Sequence, residues 1–174
     1  LGGAEIGYFS DADVMFAYRP LRDETSTGDA PLTSDATAKL AAHVKRLALA
    51  LTKEASRPAA LPGIVVDSDL RPEGRNGLLV RSLESYESYY AKWSEPWEAQ
   101  ALLRARPIAG DAALCEDFVS LIDDLRYPQS VPDRSVRQMR KLKARMEAER
   151  LPRGADRSTH LKLGRGSLSD VEWT

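Results

Sequence analysis

Residues 9–16, FSDADVMF, place two carboxylates two positions apart at the head of an apolar run. Val14, Met15 and Phe16 read as a buried strand, and Asp is a poor strand residue. Alternate residues of a strand share a face, so Asp11 and Asp13 would point into one small volume. A second acidic pair, Asp67 and Asp69, sits in GIVVDSDLR, residues 63–71, which reads as another strand. If these strands are neighbours, three or four carboxylates meet, and like charges at close range raise one another's pKa. Divalent metal is the usual compensation: Mg²⁺ takes a few carboxylates and completes its shell with water and phosphate oxygens. The plainer alternative has the Asp residues capping backbone amides at strand ends and turns. Gly2 and Gly3, shortly before the acids, weigh against it, because glycine lets backbone approach phosphate closely.

The rest of the chain organises around these segments. Residues 6–18 read as a strand pair or one bent strand, and 20–34 as a solvated loop. A helix is expected over 35–56, capped by Asp35, with Leu40, Val44, Leu47 and Leu51 recurring at helical spacing. A turn at 71–77 leads to a short strand at 78–80 and a helix over 82–92. Further helices are expected at 96–106, with Pro96 in its first turn, at 111–126 under an Asp111 cap, and at 133–150. An extended THLKLG, the turn GRGS and a helix from about Ser167 close the chain. Strands first and helices afterwards imply a small sheet-based unit joined to helices. The opening LGGAEIG lacks an initiator Met and the closing SLSDVEWT stops just inside a helix, so a piece of a longer polypeptide is expected.

With 174 residues, 43% of them apolar and a formal net charge of −1, the chain has material for a core and no general attraction to nucleic acid. Its one cysteine, Cys115, cannot form an internal disulfide and falls in a helical apolar pattern, so a buried inert thiol is expected. No apolar stretch approaches a membrane span, and a reducing, cytoplasmic setting fits. His43 and His160 fit no catalytic pattern and are assigned no role.

LGGAEIGYFSDADVMF resembles the nucleotidyltransferase motif of the DNA polymerase β-like superfamily. Residues 67–111, from DSDLRPEGRNG through WEAQALLRAR to PIAGD, resemble the glutamine synthetase adenylyltransferase family, as does the closing HLKLGRGSLSDVEW. The resemblance implies an α+β fold: a polymerase β-like nucleotidyltransferase core, with a small mixed sheet and flanking helices, over 1–110, and a helical extension over 111–174. It implies that Asp11, Asp13 and Asp67 hold Mg²⁺, as two ions, and that Gly2, Gly3 and Ser10 cradle the phosphates of ATP. The family joins one domain that attaches AMP to a tyrosine of glutamine synthetase to a second that removes it by phosphorolysis. EIGYFSDAD, WEAQALLRAR and SDVE resemble the attaching copy. Glutamine synthetase would be the protein substrate, with a PII-type signal protein regulating the full-length enzyme and no nucleic acid or membrane involved. The alternatives are the removing domain and a non-catalytic nucleotidyltransferase-like module.

Further candidates carry two readings each. Arg71 and Arg75 could meet phosphate oxygens, or Arg71 could pair with a neighbouring Asp to hold its turn. Asp69 stands where many relatives have a basic residue. Glu98, Arg104 and Arg106 are possible site residues whose spacing is not that of simple i,i+4 pairing. Trp97 reads better as a core anchor than as a stacking platform. Lys162 and the GRGS turn form a plausible anion site ahead of a helix, while Asp170 and Glu172 are either family-motif acids or partners of the helix dipole. Helix 133–150 is strongly basic but lacks the aromatic interleaving of a single-strand binder, so a solvated face or one meeting phosphates or acidic protein is expected.

Overall fold

A computed structural model of the chain describes residues 10–20, 33–58 and 63–173. The expected strand over 6–18 is two short pieces in its described part, β1 (Ala12–Asp13) and β2 (Phe16–Tyr18), interrupted at Val14 and Met15. β1 pairs in parallel with β3 (Val66–Asp67), and β2 in parallel with β4 (Val80–Ser82). Parallel strands need a crossover, and α1 (Ser34–Ala55) lies between the members of both pairs in sequence. The chain is mixed α and β, with α2 (Leu83–Trp93), α3 (Pro96–Leu102), α4 (Ala112–Arg126), α5 (Asp133–Arg150) and α6 (Leu168–Glu172) following the strands. Among the described residues, no helix is long and apolar enough to cross a membrane.

Local chemistry explains where elements start and stop. Thr33, not the expected Asp35, caps α1: its hydroxyl accepts the Ala36 amide at 3.3 Å, while Asp35 in the first turn pairs with Lys39. Asp111 caps α4 as expected, accepting the Leu114 amide at 2.8 Å. α3 ends at Leu102, four residues before the expected 106. There Arg126 Nη1 takes the carbonyls of Leu102 and Ala105 at 3.1 and 2.7 Å, and Pro107 disfavours helix at Arg106. The expected strand over 63–71 is confined to Val66–Asp67, and beyond it Arg71 holds the chain in a loop. The stretch 159–164, expected to be extended, is instead a run of turns in which His160 Nδ1 accepts the amides of Lys162 and Leu163 at 3.3 and 3.0 Å.

The core gathers Tyr86, Tyr90, Leu102 and Ile122, with Met15, Ala17 and Phe118 packed against it. It therefore lies between β2, α2, α3 and α4, directly behind the acidic strand. α1 presents Ala48 inward, leaving Leu47 and Leu51 of the expected apolar stripe 56% and 54% exposed. α1 packs against β4, with Ala48 its buried residue.

Candidate active site

The parallel register sets Asp13 directly beside Asp67. The Ala12 and Val14 amides donate to Val65 and Asp67 carbonyls, each at 2.7 Å, and lock that register. Asp11, Asp13, Met15 and Ala17, alternate residues of one chain segment, all line a cleft of about 480 Å³. One face of the segment thus carries two acids at one end and apolar groups at the other. Leu102 from α3 and Phe118 and Ile122 from α4 add apolar wall, and Ser10, Arg104 and Arg106 add polar groups.

The acids feel one another. The Asp13 carboxyl is pushed above its ordinary value, first by loss of water around it in the cleft, then by the charges of Asp11 and Asp67. The charge of Lys162 acts on it in the opposite sense, so the turn after His160 brings this lysine to the acidic end. Asp67 Oδ1 accepts the Asp69 amide at 2.7 Å, which fixes the carboxylate. Among the described residues no group of three His, Cys, Asp or Glu side chains is arranged to hold a metal ion. The three carboxylates interact electrostatically without forming a closed ligand cage. Hard oxygen donors with excess negative charge still fit a cation that takes most of its shell from water and phosphate.

Other candidates lie elsewhere. Asp69 turns away from the acidic cluster to pair with Arg75 at 2.5 Å and with Arg71 at 3.6 Å. Buried Arg71 donates to the carbonyls of Ser68, Arg75 and Gly77, so its guanidinium is spent on holding the 71–77 loop. A side chain at Gly77 would place Cβ 2.0 Å from the Pro72 carbonyl, which accounts for glycine there. Glu98, only 2% exposed, accepts the Glu95 amide at 2.7 Å at the start of α3, and burial raises its pKa. Glu172 of α6 accepts from Arg104 at 3.1 Å, and its carbonyl accepts from Gln100 at 3.0 Å, tying α6 to α3 beside the cleft.

The GRGS turn is not an open anion site. Its Gly166 amide donates to the Asp170 carboxylate, which Lys143 of α5 also contacts. These bonds, Lys143 first, hold the Asp170 pKa below the usual carboxylate value. Cys115, for which the sequence predicts a buried inert thiol, is half-buried and lines the cleft. Gly2 and Gly3 lie outside the described residues. The contribution of α4 is hidden in the sequence: its Leu114 and Phe118 spacing reads as core, and only the tertiary packing shows that the same face also walls a cleft.

A family model described as glutamate-ammonia ligase adenylyltransferase matches residues 1–120. Three relatives named bifunctional glutamine synthetase adenylyltransferase/adenylyl-removing enzyme illustrate the similarity. The protein from Leifsonia xyli is 53% identical over 175 residues, 99% of this chain and 16% of its own length. Those from Streptomyces coelicolor and Mycobacterium tuberculosis are 52% and 51% identical, over 99% and 100% of this chain and again 16% of their own length. The chain thus spans about one-sixth of the length of these relatives.

Proposed function

The chain belongs to the glutamate-ammonia ligase adenylyltransferase family, and on that premise we propose that it transfers AMP from ATP to a tyrosine hydroxyl of glutamine synthetase. The observation that carries this reading is the strand register that sets Asp13 beside Asp67, at a cleft also lined by Asp11, Arg104 and Arg106. Residues 1–110 would be the nucleotidyltransferase core, and 111–174 a helical extension that lends α4 to the cleft wall. The likeness of EIGYFSDAD, WEAQALLRAR and SDVE to the attaching copy supports the direction of transfer.

Asp11, Asp13 and Asp67 would hold Mg²⁺, which when bound supplies positive charge against the phosphates and eases ionisation of a tyrosine whose pKa is ordinarily ~10. The apolar half of the cleft, at Met15, Phe118 and Ile122, suits the adenine ring, and the acidic half then faces the triphosphate. Gly2, Gly3 and Ser10 would cradle phosphate oxygens, and Lys162 would offset charge on departing pyrophosphate. In the transfer, a bond forms between the tyrosine oxygen and the α-phosphorus and the bond from that phosphorus to pyrophosphate breaks; the hydroxyl proton goes to water. The residues of this chain contribute mainly alignment of the two oxygens.

The direction is tested by incubating the chain with glutamine synthetase, Mg²⁺ and ATP labelled at the α-phosphate. Label should enter glutamine synthetase. Release of ADP from already adenylylated glutamine synthetase, dependent on inorganic phosphate and without incorporation, would instead select the removing direction.

A further inference from the structure

α5 carries a feature that adenylyl transfer does not use. Arg134, Arg137, Lys141 and Arg145 follow one another at i, i+3, i+7 and i+11, which places them along one face over ~16 Å of helix. All four are exposed, and none makes an ion pair with a described residue. On α5 itself, Asp133 and Glu149 stand four residues from Arg137 and Arg145 at the two ends of the row and form no ion pair with a described residue, and the other acids near α5 are engaged elsewhere. Glu147 meets Lys143 and Arg157, Asp170 meets Lys143, and Glu95 accepts from Gln138. The four like charges on one face repel one another, and Asp133 and Glu149 offset them only at the ends of the row.

Beside this row lies a groove of about 390 Å³, lined by Trp97, Met139 and Leu142 together with Lys141, Arg145 and Glu95. We propose that this face of α5 and its groove dock an acidic polypeptide segment that seats one apolar side chain against Trp97. Charge complementarity selects an acidic partner. The groove selects polypeptide over nucleic acid because it offers apolar surface, at Met139 and Leu142 beside Trp97, for one aliphatic side chain. α5 itself carries no aromatic residue, so the row lacks the repeated stacking platforms of a single-strand binder, and the chain as a whole has a formal charge of −1. The inference does not depend on the cleft or on its chemistry.

The test measures fluorescence anisotropy of three labelled probes at low and high salt. They are a Glu-Ser repeat peptide with one central Leu, the same peptide with that Leu replaced by Ser, and single-stranded oligothymidylate. The Leu peptide should bind best, and salt should weaken it. Joint Arg134→Glu, Arg137→Glu, Lys141→Glu and Arg145→Glu substitution should weaken it about tenfold or more, given the modest worth of each exposed pair. Trp97→Ala should abolish the preference for Leu over Ser. Circular dichroism and melting establish that each variant is folded, and a Lys141→Gln, Arg145→Gln pair replaces the fourfold variant if that one is not. Unchanged binding by a folded charge variant overturns the proposal, as does equal binding of the two peptides. Oligothymidylate binding as tightly as the Leu peptide overturns it in favour of nucleic acid.

Discussion

Asp13→Asn is expected to lower adenylyl transfer by about a hundredfold or more and, at neutral pH, to raise the melting temperature. The first effect follows from the proposed place of Asp13 among the Mg²⁺ ligands, since disturbing even the outer shell of a metal site costs about 10–100-fold. The second follows from crowding by Asp11 and Asp67 and from partial desolvation, all of which penalise ionised Asp13 in the folded chain. Its folded pKa lies above the unfolded value, so the native state holds its proton to higher pH. The ionised group therefore destabilises fully above the folded pKa. That penalty fades as pH falls toward 3.8, the ordinary value, below which both states are protonated. Asn carries no such charge, so melting curves of parent and variant should separate at neutral pH and converge through the same acidic window. A variant that is inactive yet no more stable at neutral pH would remove the electrostatic cluster from the explanation.

Tyr86→Ala is expected to cost about 3–5 kcal/mol of folding free energy, the range for removing a large buried aromatic side chain. Tyr86 is 0% exposed. Its ring meets Phe118 of α4 nearly edge-on at 5.1 Å and stacks with Tyr90 at 6.0 Å, while its hydroxyl donates to the Phe16 carbonyl at 3.2 Å. One side chain thus joins β2 to α4, the two elements that carry much of the cleft lining. Tyr86→Phe keeps the packing and strands only the carbonyl, so it should cost about 1 kcal/mol. Chemical denaturation of the three proteins reads both values directly. Equal, small losses in the two variants would show that Tyr86 does not hold the core.

Residues that act within one segment are legible in the amino-acid sequence. The alternation of Asp11 and Asp13 sets their shared face, Asp111 marks the start of α4, and the basic character of α5 is plain from its composition. Residues whose role depends on a distant partner are not legible in this way. Arg126 ends α3 from 21 and 24 residues away, and Asp170 occupies the turn that reads as open to an anion. The α1 stripe is visible in the sequence, but only its packing against β4 shows that Ala48 is buried while Leu47 and Leu51 stay exposed. Asp69 illustrates the same limit: a carboxylate two residues from Asp67 reads as its equivalent, and the 71–77 loop draws it to Arg75 instead.

The central claim, that the acids beside this cleft form a cation-dependent nucleotide site, is tested most directly by equilibrium binding. Titration calorimetry would follow an ATP analogue with a methylene bridge between its α- and β-phosphorus atoms, in Mg²⁺ and in EDTA. Binding to the parent should require Mg²⁺, and Asp13→Asn or Asp67→Asn should weaken it about tenfold or more, or at least ~1.4 kcal/mol. Equal affinity in EDTA, or undiminished affinity in a chain lacking both Asp11 and Asp13, would contradict it.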